Sequence, residues 1–411
     1  MLNPNTNQRE LAYIVKIDEI KSIKGYDRVE YARVGGWWVI VRKDQFKVGD
    51  IAIYIEVDSK VPEKGPFMFL EKRNFKVKTL KMCKVISQGL LMEPADFGWC
   101  VSGVGESRFI TWGNGTESLD VGDFVTEALG ITYAEAEDNK RKAKPADKYK
   151  LMAQRNGKLF AKQPFHWLMK REWGRKLLFI FFGKKKDKKK GWPVGEFPGV
   201  SKTDQERCEN MPWILDDKTP FIVTQKCDGS SGTYILKRKG KKYEFYVCSR
   251  NVRMLDKNQE CYYGSHNYYW EVAIKYDIEK KMRKWLENNQ KATWVCWQGE
   301  ICSPGIQKNP HNLKETHFYC FHWTDSINGR LSIVDAEKVW KEYDMEVVPI
   351  VDTNYILPDD FEEFKLSADG LYDPEVCEGN VNCAREGFVY YKVNDPSFSF
   401  KNVSRTYLLK Y

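Results

Sequence analysis

The sequence predicts an α+β protein: a small closed β-barrel of the OB type over residues 1–130, a basic helical or loop linker over 131–195, and a second unit over 196–411 built of antiparallel sheets with flanking helices. Three observations predict this arrangement. The first 130 residues read as short strands with turn material between them, the middle is charged and lysine-rich, and β-rich runs resume beyond Gly191.

The barrel rests on five runs: LAYIVKIDEI, VEYARV, WWVIVRK, DIAIYIEVD and FKVKTLKMCKVI. Lys24-Gly25 and Gly35-Gly36 separate some of them, and Phe46-Lys47-Val48-Gly49-Asp50 makes a turn before the fourth. Several short strands at regular spacing, with little convincing helix, close most readily into a small barrel. An OB-type barrel suits nucleic acid, although such a barrel also serves as a mere buttress for its neighbour.

In the middle, AEAEDNKRKAKPADKYK is charged, KREWGRKLLFIFF carries an apolar burst, and Lys184 to Lys190 hold six lysines in seven residues. A charge run of this kind is a solvated loop or a sequence-blind contact to phosphates. Thr203-Asp204-Gln205-Glu206 has the form of a capping box and predicts a helix from Thr203 to Asn210. Further on, Ile274, Ile278, Met282 and Trp285 or Leu286 recur at helical spacing and predict one helix with an apolar face. FIVTQK, TYILKR, YEFYVCS, WVCWQGEI, THFYCFHW, EGFVYYKV and SFSFKNV read as strands.

Composition sets outer limits. Lys and Arg exceed Asp and Glu by 66 to 57, an excess compatible with a polyanionic partner. The eleven cysteines form no CxxC pair, which points to reduced thiols in a cytoplasmic, reducing compartment. The start lacks a basic segment followed by an apolar run, and no stretch has the roughly 18 apolar residues of a membrane span. The five histidines show no metal-ligand spacing, so core or surface roles are expected for them. A monomer is expected.

The chemistry centres on TQKCDGSSGTY, residues 224–234. Asp228-Gly229 is by itself an ordinary turn dipeptide. Lys226, however, ends an apolar strand, and an amine held there is a nucleophile once burial strips its proton. Gly229 lets the backbone pass closely, and Ser230 or Ser231 can donate to an anion.

Lys226-Cys227-Asp228-Gly229 resembles the nucleotidyl-transfer motif of ATP-dependent ligases and RNA-capping enzymes, and further blocks follow in order. Cys248-Ser249-Arg250-Asn251 resembles the second block of RNA ligases, Gln298-Gly299-Glu300-Ile301 the block whose glutamate meets the ribose, and Phe318-Tyr319-Cys320-Phe321 the aromatic strand beside the adenine. Glu386-Gly387-Phe388-Val389-Tyr390 resembles the metal-supporting block, and Ser399-Phe400-Lys401-Asn402-Val403 the lysine block that contacts the nucleotide phosphate. Thr203, Asp204, Glu206, Arg207 and Asn210 match a segment that precedes the nucleophile in RNA ligases. Residues 1–130 resemble the amino-terminal OB module of the Naegleria type.

The resemblance implies a nucleotidyltransferase domain, ATP-grasp-like and of the DNA/RNA ligase catalytic kind, over 196–411. It implies catalytic roles for Lys226, Asp228, Glu386 and Lys401. Nucleotide contacts fall to Gln225, Lys226, Arg250, Glu300, Phe318, Lys401 and Lys410, and metal support to Asp228 and Glu386. The implied cofactors are ATP with Mg2+ or Mn2+. The implied substrate is RNA with 3′-hydroxyl and 5′-phosphate ends, in a duplex or bridged by a template. One position departs from the pattern: Val403 stands where the family has a second lysine. Lys410 or Lys392 supplies that charge, or one contact is absent. A barrel placed before the catalytic blocks, with few residues after the last one, favours an RNA ligase over a DNA ligase or a guanylyltransferase. A non-catalytic RNA-binding protein with the same fold is the remaining alternative.

Overall fold

The computed structural model describes residues 9–103, 109–112, 117–134, 165–182, 194–200, 205–255, 267–379 and 382–410. The chain divides into two compact units. One joins the residues up to Thr132 with those from Trp192 onward, and the other is Tyr133–Gly191. In the second unit the apolar burst forms the helix Glu172–Phe182, preceded by the short helix Phe165–Met169. The Lys184–Lys190 run lies outside the described residues.

The first run of the barrel breaks into two strands, Ala12–Lys16 and Glu19–Ile23, because Ile17 and Asp18 carry the chain from one sheet to another. Ala12–Lys16, Ile51–Ile55 and Leu90–Met92 make one antiparallel sheet, and Glu19–Ile23, Tyr26–Val34 and Trp37–Arg42 make the next. Their apolar faces meet in a core that includes Tyr13, Val15, Val34, Trp37, Val39 and Tyr54. The run FKVKTLKMCKVI yields only the small hairpin Leu80–Met82 with Val85–Ser87, and the 3-10 segment Gly65–Arg73 ahead of it was not expected.

Two larger sheets build the part of this unit beyond Trp192. The seven-stranded sheet runs, edge to edge, through Val194–Glu196, Val252–Met254, Lys242–Cys248, Ser230–Lys239, Trp294–Cys302, His317–Asp325 and Gly329–Arg330. The five-stranded sheet runs through Glu206–Arg207, Asp395–Val403, Gly387–Lys392, Phe221–Gln225 and Ile350–Tyr355. The helices Tyr268–Lys275, Ile278–Asn288 and Ile333–Glu342 bury Trp270, Met282, Trp285, Leu286 and Trp340 in the core of the larger sheet. Phe364, from the helix Phe361–Ser367, packs on Tyr390 and Phe400 of the smaller one.

Two predicted helices differ from the structure. The helix expected over Ile274–Leu286 is two helices, broken at Asp277, whose φ of 53° lies in the left-handed region. Ile278, Met282, Trp285 and Leu286 are buried as the spacing requires, but Ile274 belongs to the preceding helix and is 55% exposed. The helix expected over Thr203–Asn210 is also not formed. Its first residues lie outside the described ones, Glu206–Arg207 is a strand parallel to Phe400–Lys401, and Cys208–Asn210 is a single 3-10 turn. A sheet edge satisfies that backbone, and Glu206 accepts from Asn210 at 2.6 Å.

The Glu206–Asn210 segment is where the barrel docks. Trp37 and Tyr13 both donate to Asn210 Oδ1, at 2.6 and 2.9 Å, and Asn210 Nδ2 donates to the buried Glu56 at 2.7 Å. Gly36 donates its amide to the Glu209 carbonyl at 2.9 Å, and a Cβ on Gly36 would sit 2.6 Å from Glu209 Cα. Only glycine permits that approach.

Candidate active site

The strand Phe221–Gln225 is buried along its whole length between Gly387–Lys392 and Ile350–Tyr355, and it delivers Lys226 at its end. The Lys226 amide donates to the Gly387 carbonyl at 2.9 Å, so Glu386 is brought one residue from the backbone partner of Lys226. Gly387 has φ of 140°, and a Cβ there would fall 2.1 Å from the Asn402 carbonyl. Glu386-Gly387 is therefore a strand junction and not a bare surface turn.

Lys226 Nζ donates to Glu386 Oε2 at 2.7 Å, with the side chains 22% and 15% exposed. Glu300 comes from the middle of the larger sheet, where it pairs with Ser231 and Tyr319, and its Oε1 accepts from the Gly229 amide at 3.1 Å. Gly229 passes so close to that strand that a Cβ would lie 2.3 Å from the Ile301 carbonyl. Asp228 accepts from the Tyr407 hydroxyl, and its amide donates to His311 Nε2 at 3.1 Å.

Three acidic side chains thus surround one ammonium, and their fields, when ionised, compete with burial. Burial works against the charged Lys226, but Glu386, Glu300 and Asp228 outweigh it, and its pKa is raised. The sequence reading expected an uncharged lysine here. The folded protein holds the ammonium, because the surrounding acidic side chains stabilise the positive charge. Glu300 moves the other way from an ordinary carboxyl: burial pushes it up to about 8, opposed by Lys226 and aided by Glu386 and Asp228.

That shift makes stability pH-dependent. Native Glu300 keeps its proton to about pH 8, whereas the unfolded side chain loses it near 4.5. Between those values the native state binds more protons, so stability falls as pH rises. Glu300→Gln removes the titration while keeping an oxygen for Gly229. The variant's melting temperature, minus that of the wild type, should be smallest at the acid end and grow until about pH 8. Thermal unfolding across that interval measures it, and a difference flat with pH would contradict the assignment.

Other predicted residues are placed as follows. Gln225 is buried, and its side-chain oxygen accepts from the Asp373 amide at 2.9 Å, bracing the Asp373–Val376 segment. Arg250 is half-buried on the bend between Lys242–Cys248 and Val252–Met254, two residues beyond the Cys248–Thr233 pair. Lys401, Val389 and Thr224 lie in one line across the smaller sheet; Val403, Gly387 and Lys226 form the next line on the same face. Lys401 therefore shares a face with Lys226.

Phe318 is not brought to the site. It pairs with Ile301, one residue off Glu300, so its side chain falls on the opposite face of the sheet. There it is wholly buried, edge-on to Tyr234, in space left by Gly232 and Gly299. Tyr319, the cross-strand partner of Glu300, takes the site face and stacks on His317 with ring centroids 5.7 Å apart. Lys392 does not fill the second lysine position either: its ammonium pairs with Asp217 at 2.7 Å, at the opposite end of its strand from Gly387. Lys410 donates to the Asn382 carbonyl at 3.5 Å.

Two residues missed in the sequence stand against the Lys226–Gly229 loop. Tyr407 follows the last recognised block and carries no motif. His311 was read as an ordinary core or surface histidine, yet it accepts the Asp228 amide, so its Nδ1 proton points to the Val376 carbonyl at 2.8 Å. Burial pushes its pKa down to about 4, which keeps it neutral. Neither has a local signal, since each acts through a contact distant in the chain.

Among the described residues no three His, Cys, Asp or Glu side chains are grouped to hold a metal ion. No helix among them is long and apolar enough to cross a membrane, and each described cysteine is a free thiol.

Residues 219–411 match the model of a family described as RNA ligase, and residues 11–94 match one described as an OB-fold domain. No curated protein sequence matches the chain. Among solved structures, Naegleria gruberi RNA ligase with PPi is similar at 26% identity and a TM-score of 0.68, covering 98% of this chain and 99% of that one. A glutamate-to-alanine variant of that ligase with ATP and Mn gives 27% and 0.69, and a lysine-to-alanine variant with ATP and Mn gives 27% and 0.68, each over the same shares.

Proposed function

As this chain is an ATP-dependent RNA ligase of the covalent nucleotidyltransferase superfamily, resembling the Naegleria type, we propose that Lys226 is the residue that carries AMP. The observation that supports this most is the meeting of Lys226 and Asp228, from one loop, with Glu300 and Glu386 from two distant strands or strand junctions. Lys226 Nζ attacks the α-phosphorus of ATP; an N–P bond forms and the bond to pyrophosphate breaks. AMP then passes to the 5′-phosphate of an RNA end. A 3′-hydroxyl attacks that phosphate, AMP leaves, and a phosphodiester remains.

The first step requires the Lys226 ammonium to lose a proton and to leave Glu386. Lys401, on the same face, offers its charge to the triphosphate, and Arg250 offers a planar fork to phosphates near Ser231. Glu300 accepts from the ribose hydroxyls. Tyr319 replaces Phe318 in our reading as the aromatic residue on the nucleotide's side of the sheet. Asp228 and Glu386 are oxygen donors and fit a hard cation held mainly through water and nucleotide phosphates, without a closed protein cage. A bound Mn2+ or Mg2+ supplies positive charge that competes for Glu386 and neutralises the phosphates.

We assign AMP transfer to residues 196–411 and the holding of an RNA duplex or template-bridged nick to the barrel, residues 1–130, with the basic stretch 131–195 as a linker. A-form duplexes are gripped through shape, 2′-hydroxyls and phosphates, so little base specificity is expected. The working form is taken to be a monomer in a reducing cytoplasmic compartment.

The test is incubation with α-labelled ATP or GTP and Mn2+ or Mg2+, followed by denaturation. ATP should leave label on the protein and GTP should not, and an all-RNA nick should seal about tenfold or more faster than an all-DNA nick. Absence of covalent label from ATP would overturn the reading.

A further inference from the structure

The C-terminal helix Arg405–Lys410 touches three parts of the molecule at once. Tyr407, nearly buried, donates its hydroxyl to Asp228 Oδ2. At the helix start the Ser404 amide donates to the Glu386 carbonyl at 2.8 Å, and Ser404 Oγ accepts from the Tyr407 amide at 3.0 Å and donates to Asp369 at 2.6 Å. On the side toward the barrel, Arg405 makes a two-pronged pair with Glu362 at 2.7 and 3.0 Å. Glu362 Oε1 also accepts from Trp38 Nε1, a barrel residue, at 3.1 Å. Hydrogen bonds from Trp38 to Arg405 and from Tyr407 to Asp228, joined by the backbone of this one helix, therefore connect the barrel to the loop that carries Lys226.

We propose that Tyr407 is a positioning residue for Asp228 in AMP transfer, and that the Trp38–Glu362–Arg405 chain couples barrel docking to that position. The inference rests on the reading of Lys226 as the AMP carrier. An aspartate between Lys226 and Gly229 has freedom about two side-chain torsions, and a phenol on an anchored helix removes it. Tyrosine does this with little entropy of its own, since its ring turns about only two torsions. The Ser404–Glu386 contact ties the same helix to the second carboxylate of the site. Loosening the helix disturbs Asp228 and the Glu386 backbone together, while the nucleotide-binding Glu300 and Lys401 stay in their sheets.

Single-turnover lysyl-AMP formation in the full chain, without RNA, tests this. Tyr407→Phe should slow the step about 10- to 100-fold at saturating ATP, since a misplacement near 1 Å is enough for that loss. The ATP concentration for half-maximal rate should stay within about twofold, because ground-state binding is left intact. Arg405→Lys keeps the charge, loses the fork and leaves Tyr407 in place; it should reproduce the same pattern and stands in if Tyr407→Phe does not fold. Trp38→Phe should slow the step less, and combined with Tyr407→Phe should add nothing further, as expected for residues in one network. Wild-type rates for Tyr407→Phe, or a loss seen only at low ATP, would overturn the positioning role. Additive effects of Trp38→Phe would overturn the coupling to the barrel. A wild-type protein that takes no label at all would overturn the assigned chemistry instead, so the two failures are distinct.

Discussion

Lys226→Ala takes no label from α-labelled ATP: the expected loss of lysyl-AMP is at least about 10⁴-fold, the scale on which removal of a nucleophile acts. Substitution leaves no other amine at the end of the Phe221–Gln225 strand. Lys401 shares the face but sits in the neighbouring line of the sheet, and Lys392 is engaged with Asp217. The same variant should still join RNA that already carries a 5′-adenylate, because that step needs no lysyl-AMP. Loss of both activities together would mean that Lys226 holds the site's structure and not its chemistry. The variant also removes the countercharge from Glu386, Glu300 and Asp228. Lys226 holds the Glu300 carboxyl down, so in the variant Glu300 should keep its proton to higher pH than in the wild type, and stability should go on falling beyond about pH 8.

The second large effect is on stability. Lys365 and Glu209 form an ion pair at 2.7 Å with both side chains wholly buried, and Lys365 also donates to Asn402 Oδ1 at 2.7 Å and the Val403 carbonyl at 3.1 Å. Burial alone would raise the Glu209 carboxyl, but Lys365 and Arg207 hold it below its ordinary range. Lys365→Met strands that carboxylate away from water, and removal of one partner from a buried pair costs about 3–5 kcal/mol. Urea unfolding followed by tryptophan fluorescence should show the loss as a lowered midpoint. Glu209→Gln added to Lys365→Met should recover part of it, since the uncompensated charge is then gone. A loss below about 1 kcal/mol would mean that the pair is solvated in solution. The position matters to function as well: Lys365 grips the backbone of Val403, which lies in line with Gly387 and Lys226, and Glu209 carries the carbonyl on which Gly36 docks.

Legibility varied with the range of the contact concerned. The strand ending in Lys226 could be read because a short apolar run and its turn are local, and so could Gly229, whose close passage the structure places against Ile301. Period two in THFYCFHW separated Phe318 and Cys320 from Tyr319 and Phe321 but left open which set faced Glu300. That choice is made by the register against Trp294–Cys302, including its irregularity between Gln298 and Gly299. Helix over Glu206–Arg207 was not formed because Phe400–Lys401, far away in the chain, offered those two residues a sheet edge. His311 and Tyr407 were silent because a hydrogen bond to a distant loop leaves no spacing to read.

By itself the sequence determined which functional groups are present and in what order: a lysine, an aspartate, two glutamates and a further lysine, in blocks that resemble those of nucleotidyl transfer. Only the tertiary structure decided the charge on that lysine, the aromatic side of the central sheet and the residues that hold Asp228. Reactivity belongs to functional groups and is written in residue types. Protonation and orientation depend on which groups the folded chain brings within a few ångströms, and that is a property of packing.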